Sequence, residues 1–599
     1  VEPTPAPRRA PRRAPAREGS LEPIGRRRPT PTWVLVLLGA VIVLVGAAGL
    51  LARDVIRIRH DLTSGQALLS HLQLTDLDSR QSIEAKIGTA HRRLRAGADL
   101  TRDSIWLELL SPLPKVGTQI RAARVLTSSA AQVGDIAYQG AVKARNQLDA
   151  PRSGPADRLH LVDAFRQDMA DAQAQLSHVP TRTEGHLLGP LARAQTTLIT
   201  RLAQAKTQLS DGLTMTATLR TMLAGPRTYL VLAGNNAEMR SGGITTAAGL
   251  LHFQGGDMTT SQFVSSFDLF LPDKLKVPVP PEINNLFGWM QPGQEWRTTD
   301  TSPNWPEVAG IYARMSANSP FGKVDGVLFV DVLTLQSVLR VVGPVTVNGF
   351  PYSADNVVGQ VLYNNYLLFP TADQTNARRD VQSSVARSAF SALTDSKYSI
   401  PTLAHELKED AKGRHLLAWS SNAAEEGLWI KLGADGGLTS NGLMVSVQNV
   451  SASKLDYFLQ PSVTIQTQQL ADRQHVDLYV TATNPRRKQT SPYIEGGTPC
   501  CVMPGDQRVY LLLYLPATAY NVLSYHPEFS TAGTDGGMKV GGVIYIVPYG
   551  QTTTVHFSFD LPSSQASVTL LPSSRVQPVP YTVNGAVHTD DGVYRQLPI

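Results

Sequence analysis

An uncharged run of twenty residues, Trp33–Ala52, constrains this chain more than any other feature. As a helix rising 1.5 Å per residue it spans roughly 30 Å, the thickness of a bilayer core. The apolar stretch of a signal peptide is shorter and ends in small residues at a cleavage site. Here Arg53 follows directly, and Pro29 and Pro31 precede the run. The sequence therefore predicts a retained, single transmembrane helix. Arg26, Arg27 and Arg28 flank its N-terminal end. Positive flanks stay in the cytoplasm, so residues 53–599 are expected outside the cytoplasmic membrane, as the bulk of a single-pass protein of the cell envelope.

Residues 1–32 read as a cytoplasmic, basic, disordered tail. They hold eight arginines against three glutamates, which is most of the chain's formal net charge of +6. The remainder is close to neutral, which argues against a nucleic-acid partner and leaves the membrane as the first expected one.

At 599 residues the chain is too long for one core, so several domains are expected. Residues 53–222 read as an extracytoplasmic helical region, a stalk or bundle. Val55, Leu62 and Leu69 are spaced as an apolar stripe, and Ser111–Gly117 (SPLPKVG) breaks the helical pattern. After Pro226 the period changes. RTYLVLAGNN (227–236), ITTAAGLLHF (244–253) and VDGVLFVDV (324–332) read as strands, with a helix over 333–343. Alternating elements of this kind predict an α/β domain over 223–395. Residues 396–435 read as a connector. Beyond it, short alternating strands such as VDLYVTATN (476–484) and TTVHFSFDLP (553–562) predict an antiparallel β-sandwich over 436–599.

The usual catalytic signatures are absent: no phosphate-binding glycine loop, no nucleophile elbow, no paired histidines at metal-ligand spacing. Cys500 and Cys501 are the only cysteines. A trans peptide holds neighbouring Cα atoms about 3.8 Å apart, short of the usual disulfide range of about 4.4–6.8 Å. A strained vicinal disulfide and two free thiols are the alternatives, the disulfide being expected in an oxidising compartment.

The stretch 227–393 carries an ordered set of motifs. Asn235, Asn236, Ala237, Glu238, Met239, Arg240, Gly242 and Gly243 form NNAE-[LM]-R-x-x-GG. Trp296, Arg297, Asp300 and Asn304 form W-R-x-x-D-x-x-x-N, followed by VDGVLFVD and by Gly413–Ser420 (GRHLLAWS). This set resembles a bacterial envelope family known as domain of unknown function 4012. More distantly, Val324–Val347 and the helix-like Asn376–Leu393, with Arg378, Arg379 and Gln382, are similar to the LytR-CpsA-Psr glycopolymer transferases. Those enzymes transfer a glycan phosphate from a polyprenyl-pyrophosphate lipid. The resemblance implies an α/β LytR-CpsA-Psr-like domain in which Arg240, Arg297, Arg378 and Arg379 bind phosphate. Asp268 and Asp300 would then hold magnesium. The pattern also departs from the transferases. Gly242 and Gly243 stand where an aspartate is expected after the first arginine, and SSFDLFLPD (265–273) lacks the arginine of an Arg-Asp pair. Two functions follow. One is an envelope scaffold or glycan-binding protein acting in cell-surface polysaccharide assembly. The other is a phosphotransferase or pyrophosphatase on polyprenyl-pyrophosphate-linked glycan. Whether the chain is an enzyme stays open at this point.

Overall fold

The computed structural model of the protein describes residues 53–69, 74–150, 154–371, 373–395, 398–497, 502–591 and 595–599. Helices come first. Thr89–Asp103 packs against the long helix Pro114–Asp149, which begins with proline in its first turn just where the sequence breaks. Gly134 makes that contact possible. A Cβ there would press on the Leu94 side chain at 3.0 Å. Pro155–Ser177 and Gly189–Ala224 complete this layer. Gly225 ends the last helix at φ +64°, and a Cβ on it would strike the Phe253 carbonyl. The chain turns there from helix into sheet.

Strand β1 (Arg227–Met239) pairs antiparallel with β2 (Gly243–Gln254), which continues into β3 (Asp257–Thr260) and β4 (Val264–Ser265). On its other side β1 runs parallel to β5 (Gly326–Val330). The crossover between them contains the helix Trp305–Ala317. The helix Val332–Val342 follows, then a small hairpin of β6 (Val345–Val347) and β7 (Phe350–Tyr352). β8 (Leu416–Ser420) closes the order β3-β2-β1-β5-β8. Residues 396–435, expected as a connector, thus supply an edge strand and the helix Ala423–Leu432 to this layer. The strand is only five residues long, LLAWS, too short for a period to show before pairing fixes it.

The C-terminal strands are β9 (Gly442–Asn449), β10 (Gln460–Gln469), β11 (Arg473–Thr483), β12 (Gln507–Leu515), β13 (Tyr520–His526) and β14 (Thr531–Asp535). Then come β15 (Met538–Val547), β16 (Thr552–Pro562), β17 (Ser567–Leu570), β18 (Pro580–Val583), β19 (Ala586–Thr589) and β20 (Arg595–Pro598). They form two sheets, β13-β16-β11-β10-β18-β19 and β14-β15-β12-β9-β17-β20. The sheets are not purely antiparallel: β18 runs parallel to β10, and β17 to β9. β11 alternates, with Val476, Leu478, Val480 and Ala482 inward. β12 does not. Val509, Leu511 and Leu513 face the sandwich core, while Tyr510, Leu512 and Tyr514 enter a second core with Phe287, Trp305 and Tyr312. The apolar run YLLLYL is what a strand buried on both faces requires. The α/β layer and the sandwich therefore share a core. Tyr510 donates to the Leu286 carbonyl at 3.0 Å, and Gln448 to that of Thr301 at 2.7 Å.

The expectation of a single-pass membrane protein is corrected. Among the described residues no helix is long and apolar enough to cross a membrane. Pro114–Asp149 and Gly189–Ala224 have the length but carry charges throughout. The run Trp33–Ala52 and the tail 1–32 lie outside the described residues.

Candidate functional site

The end of β1 leaves the sheet and runs into the sandwich. Asn236 donates to Asp331 at 2.8 Å and to the Ser574 carbonyl at 3.1 Å. Asp331 caps the helix Val332–Val342 and holds His415 Nδ1 at 2.7 Å. Glu238, buried, bonds Arg240 at 3.2 Å and also Lys454. Burial alone would raise its pKa, but the two cations outweigh burial and hold it below the usual range. Lys454 answers in kind: burial would lower its pKa, and Glu238 raises it instead. The remaining contacts of Arg240 go to the carbonyls of Met239 (3.1 Å) and Asn449 (2.7 Å). Arg240 is thus a buried tie between β1 and β9, closed off from any ligand.

The other three arginines gather in front of this tie. Arg297 leaves the 3-10 helix Trp296–Thr301, bonds Glu295 through Nε at 2.9 Å, and lies 4.1 Å over the Phe267 ring. That hydrogen bond is the main cause of its raised pKa, and Glu238 and Tyr493 are close enough to add to it. Arg379 lies over the same ring at 4.7 Å. Phe267 is 51% exposed. Arg378, buried, lies over Tyr493 at 4.1 Å and Tyr366 at 4.6 Å, and donates to the Phe369 carbonyl at 3.2 Å. Tyr366 and Tyr493 stack at 5.6 Å. Asn235 of β1 donates to the Tyr366 hydroxyl at 2.8 Å, which fastens the stack to the sheet. The junction therefore holds Arg240, Arg297, Arg378, Arg379 and Lys454, with Glu238 and Glu295 as the carboxylates paired to them. Among the described residues no carboxylate forms an ion pair with Arg378 or Arg379.

The two aspartates differ in exposure. Asp268 is exposed at the end of the turn Ser266–Asp268. Asp300 is 3% exposed and lines a small cavity with Ser241, Gly242, Trp305, Phe329 and Arg414, with room for roughly one water. Neither of its carboxyl oxygens has a hydrogen-bond partner. Burial pushes its pKa up to about 8 against the pull of Arg240, so Asp300 carries a proton at neutral pH. Magnesium needs ionised carboxylates with open positions for water. A walled-in aspartate beside a cavity with room for roughly one water leaves no space for a hydrated magnesium ion. Among the described residues no group of three or more His, Cys, Asp or Glu could hold a metal ion. Cys500 and Cys501 lie outside the described residues.

Several members of this junction escaped the sequence. Glu238 stood inside a quoted motif without a role. Lys454 and Tyr493 are more than 200 residues from it, and only the docking of the sandwich brings them in. Phe267 adjoins Asp268, but nothing in SSFDLFLPD marks a ring that carries two guanidiniums.

Residues 224–366 match a family described as protein of unknown function (DUF4012), the family that the motifs at 235–243 and 296–304 resemble. The match stops before Arg378, Arg379, Lys454 and Tyr493. No curated protein and no solved structure matches.

Proposed function

We propose that the protein is a binding scaffold of the cell envelope that holds an anionic, phosphate-bearing glycan at the junction of the α/β layer and the sandwich. One observation carries the reading: Arg297 and Arg379 share the exposed ring of Phe267, while Arg378, buried on two tyrosines, adds charge behind them without reaching the surface. Glu295 offsets the charge of Arg297, and Arg379 has no such carboxylate, so a further anion beside it relieves the remaining repulsion. A guanidinium stacked face-on keeps its in-plane N–H groups for a fork onto phosphate. Sugars bring C–H faces that suit an exposed ring such as Phe270, 47% exposed and three residues beyond Phe267.

The transferase reading is weaker on chemistry. Arg240 is committed to Glu238 and two carbonyls, and Asp300 is walled off and protonated.

Titration calorimetry with pyrophosphate tests the proposal. Wild type is expected to bind, and R297A/R379A to lose at least about tenfold in affinity, the scale of one or two charge-assisted contacts. Circular dichroism melts of both proteins check that the variant folds. Equal affinities would remove the arginines from the site. Turnover of a polyprenyl-pyrophosphate-linked sugar by the wild type would favour the enzyme instead.

A further inference from the structure

The small cavity beside Asp300 is also lined by Arg414, a cation that the fold leaves without a counter-ion. Arg414 is 1% exposed. Its Nη2 donates to the Pro303 carbonyl, and its Nη1 has no partner. Among the described residues no carboxylate forms an ion pair with this guanidinium. An arginine does not shed its proton, and a buried charge is stable only when it is paired. Trp305, also buried, lines the same cavity, and its indole N–H has no partner either. Gly436, at φ +59°, lets the two side chains approach. A Cβ on it would lie 2.9 Å from Trp305 Cβ and 3.4 Å from Arg414 Nη2. Two acids stand close by, and neither pairs with the arginine. Asp300 is protonated at neutral pH, and the cation that pulls on it is Arg240. The Oδ2 of Asp535 is taken by Ser302 and Tyr514. Glu238, in turn, is shared between Arg240 and Lys454.

We infer that this cavity is a binding site for one chloride ion, held by Arg414 Nη1 and Trp305 Nε1, with the Asp300 carboxyl as a third donor. Sign and size select the ligand. The groups that lack partners are a guanidinium, an indole N–H and a neutral acid, which together suit an anion. A space for roughly one water is too small for phosphate, a carboxylate or a sugar. A monatomic anion needs about the room of one water and accepts hydrogen bonds from any direction. Water itself fits by size but leaves the Arg414 charge uncompensated. The ion ties together parts that are distant in sequence. Trp305 begins the helix Trp305–Ala317, and Arg414 lies just before β8. The Arg414 carbonyl accepts the Ser574 hydroxyl of the sandwich at 3.2 Å. The site shares no residue with the arginines around Phe267, so it stands or falls separately from them.

The test exchanges chloride for gluconate, an anion too large for the cavity, at fixed ionic strength and pH. The full chain is melted in a calorimeter across the series. Its melting temperature is expected to rise with chloride and to level off about 2 °C higher, as for a ligand that binds only the folded state. Bromide locates the ion: crystals grown in sodium bromide should give an anomalous diffraction peak inside the cavity. Trp305→Phe keeps a ring in the core and removes the indole N–H. The chloride concentration for half the effect should then rise about tenfold, the scale of one hydrogen bond to a charged group. Arg414→Met should abolish the response, and Trp305→Phe decides the matter if that variant does not fold. Melting temperatures that are the same in both anions, with bromide peaks only at the surface, would overturn the site and make its occupant a water. A chloride response that Trp305→Phe leaves unchanged would also overturn it, by placing the ion elsewhere.

Discussion

Arg240 and Arg379 belong to the same junction and are held in opposite ways. Arg240 is 7% exposed, faces Glu238, and has its guanidinium surrounded by protein carbonyls. Arg379 is half-exposed and rests on a ring, with no carboxylate paired to it among the described residues. The first arrangement neutralises the charge inside the protein. The second leaves it facing outward with its orientation fixed. Resemblance to a phosphate-binding family cannot separate the two, because the residue type is the same in both. The partners separate them, and those come from distant parts of the chain. The back of the junction is therefore expected to answer in stability, and the front in binding.

The largest effect should come from the back. Lys454→Met removes a buried ammonium from Glu238 and leaves that carboxylate with Arg240 alone. Breaking a buried pair from one side costs roughly 3–5 kcal/mol. Denaturant unfolding measures it. A loss under about 1 kcal/mol, the range of exposed pairs, would mean the back of the junction is wetter than its burial implies.

Asp300→Asn comes next and gives its signature in pH. The folded protein keeps the Asp300 proton up to about pH 8, whereas an unfolded chain releases it near the ordinary 3.8. Between those values the folded state binds the extra proton, so the Asp300 contribution to stability falls as pH rises through that window. Asparagine is neutral throughout and removes the dependence. Variant and wild type should unfold alike near pH 4, and the variant should be more stable by a few kcal/mol near pH 8. Parallel stability profiles of the two proteins across this range would show that Asp300 is ionised in the fold.

The front of the junction should respond the other way round. Arg379→Ala is expected to leave stability within about 0.5 kcal/mol, as for surface substitutions. Its pyrophosphate affinity should drop about tenfold. A stability loss of the size expected for Lys454→Met would place Arg379 with Arg240, as a structural cation.

What the sequence made legible follows from the range of the signals. The alternation of β11 and the change of period at Pro226 are local, and the structure carries both. β12 carries an apolar run, but the second core that it enters does not show in it, because Tyr510 meets Phe287 of the α/β layer only after docking. β8 was lost in an expected connector for the same reason: it becomes a strand by pairing its Ala418 with Leu328 of β5. The arginine positions could be named from motif order. Their division into a neutralised back and a charged front could not, since Lys454 and Tyr493 come from the sandwich. Asp300 shows the limit most plainly. Its type suggested a metal ligand, and the burial that raises its pKa comes from packing that no local signal announces.

The smallest expected effect tests how the front arginines are aimed. Phe267→Leu keeps an apolar side chain at an exposed position and removes the ring beneath Arg297 and Arg379. A cation over an exposed ring gains about 0.5–1 kcal/mol, so losing the ring under two guanidiniums should weaken pyrophosphate binding by several-fold. Stability should hardly change, because the lost contacts are at the surface. Phe267→Tyr keeps the ring face and should bind like wild type. The split between the two variants is what matters. If leucine and tyrosine bind equally well, the ring does not orient the arginines, and Glu295 alone fixes Arg297 through its 2.9 Å bond. In that case Arg379, which has no such carboxylate, would be free to swing. It should then give a smaller affinity loss on truncation than Arg297 does.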